Sequence, residues 1–337
     1  MEVKSDNEKK EGEPFLNQPI NSENINNNLI SKEKERKVLI ICLSTAIVII
    51  IIGAILSINA ANNNNNIKND LSNALILKYY NSDIKEYKLF DSSNNNVFDY
   101  IQSIKIDNKR INYLEKDKYK FPNIGEHSVI IKFHKNITSL NMLFKNCDSL
   151  TNVDFSYFNS ENIMNLSELF SGCSSLTSIN FTNFDTSNVY NMSYMFFNCS
   201  KLNRLDLHSF NMTNTKDTSG MFKDCKNLEF LNISNYDTTT ELLYMNSMFY
   251  NCVRLTSLDL KNFNTINVIN MSYLFYNCKS LMYLDISKFY YNITNGYNNM
   301  FTNIAYKGQI IYSSNKFLIP LKEFEDWEKK DLAFIDY

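Results

Sequence analysis

Two hydrophobic rhythms alternate along the middle of the chain. Within residues 189–214, Met192, Met195, Phe196 and Cys199 fall at i, i+3, i+4 and i+7, which is the spacing of one face of a short helix. Asn191 stands just before that stripe, in the place of a helix cap. Leu202, Leu205 and Leu207 follow as L-x-x-L-x-L, the last two alternating with Arg204, Asp206 and His208. That alternation predicts a strand with one buried face. Phe210 closes the unit, and Asn211–Asn214 turns the chain into the next one.

The pattern repeats in phase. Phe144, Phe170, Phe196, Phe222, Phe249, Phe275 and Phe301 make one column, and Leu150, Leu176, Leu202, Leu228, Leu255 and Leu281 a second. Phe158, Phe184, Phe210, Tyr236, Phe263 and Phe289 make a third. Cys147, Cys173, Cys199, Cys225, Cys252 and Cys278 keep the same beat, 26, 26, 26, 27 and 26 residues apart. A fixed period of this size marks a solenoid, in which each unit buries its apolar face only against its neighbours. The expected fold is therefore an α/β solenoid of about seven 26-residue coils, with strands about 4.8 Å apart forming one sheet.

The ends depart from the pattern, as capping requires. The seventh coil keeps Met300 and Phe301 but has Ile304 in place of the cysteine and Lys307 in place of the leucine. Residues 305–337, with Trp327, are expected to form a C-terminal cap. Residues 71–136 are expected to form a small β cap, with a hairpin turning at Asp107–Asn108 and a strand over Val129–Phe133. The resulting organisation is a disordered tail at 1–37, an apolar helix at 38–60, an Asn-rich linker at 61–70, the β cap at 71–136, the repeats at 137–304 and the C-terminal cap.

Val38–Ile58 carries no charge, and 21 residues at 1.5 Å each span roughly 32 Å, enough for a bilayer core. This reads as a transmembrane signal-anchor; a cleaved signal peptide is the nearest rival, with a shorter apolar region and leader expected. Lys32, Lys34, Arg36 and Lys37 precede the span, whereas Lys68 and Lys78 follow it. The excess of basic residues places the N-terminus in the cytoplasm and the C-terminal portion outside the cell. The net charge of −2 gives no nucleic-acid footprint.

The segment Ser174–Leu202, SSLTSINFTNFDTSNVYNMSYMFFNCSKL, resembles the BspA-like leucine-rich repeat family, also known as the mycoplasma surface-protein repeat, DUF285. The resemblance runs from Ile137 to about Ile304. It implies a right-handed, leucine-rich-repeat-like solenoid on a surface protein, and adhesion to host matrix proteins, as described for members with a known role. The chain departs from a lipoprotein because Cys42 lies inside the apolar span, so a membrane helix rather than a lipid is the expected anchor.

Candidate chemistry is sparse. The cysteine column reads as buried thiols acting as small hydrophobes. Disulfides between neighbouring coils (Cys147–Cys173, Cys199–Cys225 and Cys252–Cys278, or a shifted set) are the alternative, and a metal fits poorly because the ligand vectors would run parallel. The acidic and amide row Asp154, Asn180, Asp206, Asn232, Asp259 and Asp285 reads as a solvated polar column rather than a calcium stripe. On the strand face, Arg204, His208, Phe230 and Tyr283 break a background of small polar residues, and aromatic and Arg side chains are the usual binding hot spots. Nine N-x-S/T sequons, at Asn136, Asn165, Asn180, Asn191, Asn198, Asn211, Asn232, Asn270 and Asn292, are candidate glycan sites on an extracellular chain. The three histidines, His127, His134 and His208, form no catalytic constellation, and Glu126–His127 reads as surface. No cofactor is implied. The expectation is a non-catalytic, single-pass surface protein whose ectodomain recognises a protein or glycan partner, with a self-associating surface coat as the alternative.

Overall fold

A computed structural model describes residues 71–91, 97–111, 117–134, 137–233, 238, 241–290, 296–305 and 309–312. The tail at 1–37, the apolar span at 38–60, the linker at 61–70, Asn136, Asn292, Tyr236, Lys307 and Trp327 lie outside them. Among the described residues no helix is long and apolar enough to cross a membrane.

The chain begins with β1 (Ala74–Asn81), β2 (Glu86–Lys88), a single helical turn α1 (Val97–Tyr100), β3 (Ile101–Ile106), β4 (Lys109–Ile111), β5 (Lys118–Lys120) and β6 (Gly125–Phe133). Asp107 and Asn108 both take left-handed backbone angles between β3 and β4, the requirement of a two-residue hairpin turn. β1 lies between β6 and the first repeat strand, β7 (Leu150–Asp154), antiparallel to both. The cap and the first coils thus share one sheet, in the order β4-β3-β6-β1-β7-β8, where β8 is Ser178–Asn180. One apolar core runs from Leu75 to Ile304.

Each later coil contributes a short strand parallel to its neighbours: β9 (Arg204–Asp206), β10 (Phe230–Asn232), β11 (Ser257–Asp259), β12 (Tyr283–Ile286) and β13 (Gln309–Tyr312). The single sheet expected from the sequence does not form. Strand pairing stops between β8 and β9 and again between β10 and β11, leaving β7 and β8 in the cap sheet, one separate pair, β9–β10, and a triplet, β11–β13. The continuous ladder lies elsewhere, in parallel bridges linking Ser139, Asn165, Asn191, Asp217, Tyr244, Asn270 and Gly296.

The expected helix in each coil is also absent, so the coils are not α/β. Met192, Met195, Phe196 and Cys199 are all fully buried, as the spacing required, but their backbone is a run of turns. Tyr194 and Asn198 take φ of 55° and 56°, and every coil repeats such a pair four residues apart, from Met142 and Asn146 to Asn299 and Asn303. A left-handed residue in every turn breaks the helix, and each costs about 1–2 kcal/mol where it is neither Gly nor Asn. The compensation is hydrogen bonding between coils. The N–H groups of Met192, Tyr194, Phe196 and Asn198 donate to carbonyls of Asp217, Ser219, Met221 and Lys223, while Met195, Phe197 and Cys199 close local turns. A helix would have consumed all of these within one coil. Gly220 shows how tightly the turns stack: its φ is 60°, and a Cβ there would run into the Tyr194 ring.

Inside, the phenylalanine column stacks ring on ring. Phe170, Phe196, Phe222, Phe249 and Phe275 follow one another with centroids 5.6–5.8 Å apart and interplanar angles of 17°, 3°, 12° and 5°. The six cysteines are free and buried. Cys173, Cys199, Cys225, Cys252 and Cys278 each donate S–H to the carbonyl of a phenylalanine in the preceding coil, Phe144, Phe170, Phe196, Phe222 and Phe249, at 2.9–3.2 Å. The same carbonyls also accept the N–H of the cysteine in their own coil. The thiol therefore fills the second lone pair of a buried carbonyl, which a purely apolar side chain would leave empty. Burial pushes the Cys225 and Cys278 thiols up to about 12.

Candidate interaction faces

The corners of each coil are built from Asn and Asp. The Oδ1 of Asp154, Asn180, Asp206, Asp259 and Asp285 accepts the backbone N–H two residues on, at 2.9–3.1 Å. Asn165, Asn191, Asp217 and Asn270 do the same toward Ser167, Ser193, Ser219 and Ser272, and so do Asp185, Asn211 and Asn264 at the third corner. These are Asx turns, in which the side chain mimics a backbone turn. The acidic and amide row is thus a structural corner, and Asn191 caps a turn rather than a helix. Most described sequons are the text of these turns, since N-x-S/T puts a second donor on the accepting oxygen: the hydroxyls of Thr182 and Ser193 also reach Asn180 and Asn191 at 2.7 Å. Asn198 differs, being an exposed left-handed residue.

On the strand face, Arg204 and Phe230 are register partners in β9 and β10. The guanidinium carbon lies 4.4 Å from the ring centroid, a cation–π contact on a ring that is 39% exposed. His208 turns instead to its own strand end, with Nδ1 2.9 Å from Asp206 Oδ1. Burial raises the Asp206 carboxyl, but the backbone N–H and ring of His208 and the Asn232 amide outweigh it and hold it below the usual range. Tyr283 is not part of this group. It is half-buried in β12, in register with Ser257 and Gln309, beyond the break between β10 and β11.

His127 is a correction: it is buried, not on the surface. Its ring stacks on Phe121 at 4.2 Å, with Nδ1 2.7 Å from Asp107 Oδ2 and Nε2 2.9 Å from the Asn123 carbonyl. Burial raises the Asp107 carboxyl, but His127 and the Ser128 N–H outweigh it and keep it below its ordinary value. The histidine clamps the β3–β4 turn to β6.

The turn-bearing face carries a group that sequence reasoning missed. Tyr250 and Tyr276 stack at 4.8 Å and 7°, and Tyr273 meets both edge-on at 6.3 and 5.8 Å. Lys223 Nζ sits 4.9 Å from the Tyr250 centroid. Alongside, Asn251 Nδ2 donates to Asp224 Oδ1 at 2.8 Å, and Asn277 Nδ2 to Asn251 Oδ1 at 2.5 Å. The signal was present as YNC at Tyr250–Cys252 and Tyr276–Cys278, where the tyrosine is half-buried and the cysteine buried. Among the described residues no group of three or more His, Cys, Asp or Glu could hold a metal.

Parallel one-strand coils around stacked phenylalanine, leucine and cysteine columns define a repeat protein of the solenoid-like, leucine-rich type. Residues 73–183 match the family described as "BspA type Leucine rich repeat region (6 copies)", and 138–240 and 206–313 match "Mycoplasma protein of unknown function, DUF285". The chain belongs to this BspA-like, DUF285 family of leucine-rich repeat proteins. The first match begins just before β1, so it covers the β cap as well as the first repeats. No curated protein and no solved structure matches the chain.

Proposed function

We propose that the chain is a non-catalytic, single-pass surface protein, N-terminus in the cytoplasm, whose right-handed solenoid lies outside the cell and recognises a protein or glycan partner. The observation that carries this reading is the Arg204–Phe230 pair. A solvent-facing guanidinium held on an aromatic ring is a preformed anchor of the kind that dominates interfaces. Its neighbours along the column, Asn152, Ser178 and Ser257, are small. The charge-free span Val38–Ile58 and its basic N-terminal flank support the topology. On an extracellular chain, Asn198 and Asn211 are exposed sequons available to a glycan.

A second reading, self-association into a surface coat, is favoured by a different observation. Met164 and Tyr190 share one phase in adjacent coils and are 44% and 45% exposed, and Ile269, 50% exposed, returns to that phase after Lys216 and Leu243, an apolar row with one charged interruption.

Full-length chain displayed on intact cells tests both. External protease should remove the C-terminal portion and spare an N-terminal tag; protection of the C-terminal portion would overturn the topology. Arg204→Ala with Phe230→Ala should lower adhesion of those cells to protein- or glycan-coated surfaces by about tenfold or more. Unchanged adhesion removes the strand-face reading, and loss of adhesion only on Tyr190→Ser with Ile269→Ser favours the coat.

A further inference from the structure

The geometry points to a second binding site, on the turn face of coils four to six, for an acidic polysaccharide laid along the coil axis. Tyr250, Tyr273 and Tyr276 form one aromatic group there, and Lys223 rests on its first ring. Three positions after Lys223 and Tyr276 stand Lys226 and Lys279, both exposed and in phase with each other. The carboxylate among these positions, Asp224, is already held by Asn251.

The chemistry selects the occupant. Sugar rings present C–H faces that pack on aromatic side chains, hydroxyls that exchange hydrogen bonds with amides, and sulfate or carboxylate groups that pair with ammonium. The amide row steps once per coil from Asp224 through Asn251 to Asn277, the tyrosine stack spans the two coils of Tyr250 and Tyr276, and Lys223, Lys226 and Lys279 flank it on either side. An extended chain along the coil axis would therefore cross ammonium groups, ring faces and ammonium again. A peptide adding as a strand would need unpaired backbone donors. On this face the N–H groups of Gly220, Ser247 and Tyr273 are already bonded to Asn246, Ser272 and Asn298 of the next coil. The tyrosine rings pack against each other rather than standing free to enter a lipid layer.

The test uses full-length chain in detergent micelles and immobilised heparin as the probe, at about 150 mM salt, where surface charges are screened beyond about 8 Å. Neutral dextran, polyglutamate and vesicles containing anionic lipid are the comparison arms. Retention on heparin is expected, with little on the other three. Tyr250→Ala with Tyr276→Ala and, separately, Lys223→Gln with Lys279→Gln should each weaken it by about tenfold or more. Tyr273→Ala, at the most exposed ring, is the substitute if the paired tyrosine variant melts early. Arg204→Ala with Phe230→Ala should leave heparin binding unchanged, which separates this site from the strand-face reading. No retention on heparin overturns the proposal. So does equal retention on polyglutamate or vesicles, or loss in the lysine variant alone with the tyrosine variants bound as wild type.

Discussion

The turn side and the strand side of the same coils solve the stacking problem differently. On the turn side the bridges run unbroken from Ser139 to Gly296, alternate N–H groups are tied to the next coil, and the phenylalanine rings lie nearly parallel. On the strand side the pairing lapses twice, and the outward residues change from coil to coil: Asn152, Ser178, Arg204, Phe230, Ser257, Tyr283. The pitch of the solenoid is set by the side with the dense inter-coil bonding. The other side needs only its buried Leu column to stay in place, which frees its outward positions to vary.

Removing material from each side probes that difference. Phe196→Ala takes a fully buried ring out of the stack and is expected to destabilise by about 3–5 kcal/mol. Leu205→Ala, on the strand side, should cost less, about 2–3 kcal/mol. Chemical denaturation of both variants measures the gap, and equal losses would mean that the two sides share the load. Next in size, Cys199→Ala removes one S–H donor and a little volume, for an expected loss of about 1–2 kcal/mol. In the native chain the column should stay silent to a thiol reagent at pH 8. With Cys225 and Cys278 pushed up to about 12, only about one thiol in ten thousand is ionised there. Rapid labelling of these thiols before unfolding would contradict the buried ladder. The smallest effect belongs to the strand face. Asp206 is held below its ordinary value, so its contribution is present above the unfolded carboxylate range and is lost as pH falls through the folded value, below about 3.9. Asp206→Asn should flatten that acid-side loss slightly, as read from melting temperature between pH 5 and pH 2.

Much of this was legible in the chain, and the largest failure has a plain cause. Periodicity identified which residues of each coil are buried: Met192, Met195, Phe196, Cys199, Leu202, Leu205 and Leu207 all are. It mistook the backbone beneath them, because i, i+3, i+4, i+7 reports a burial face and not a hydrogen-bond partner. The corrective sign was the residue before each cysteine: Asn146, Gly172, Asn198, Asp224, Asn251, Asn277. These are the residue types that tolerate a left-handed backbone. A second sign was the recurrence of Asn in phase: Asn165, Asn180, Asn191, Asn211 and Asn270 each form a corner. For the candidate faces, the pairing of Arg204 with Phe230 was reachable from their equal phase. The capture of His208 by Asp206 depends on rotamers, and the separation of Tyr283 on where strand pairing lapses. Neither is written in a 26-residue period.

The thiol bonds all run one way, each from a coil to the one before it. A chain assembled from such units has a head and a tail, and any internal block of 26 residues carries both the donor its predecessor needs and the acceptor its successor needs. Duplicating or deleting one block in phase would therefore leave every remaining junction chemically matched. Length in this protein is an adjustable quantity, and the reach of its outward faces can be tuned by copying text rather than by redesigning a core.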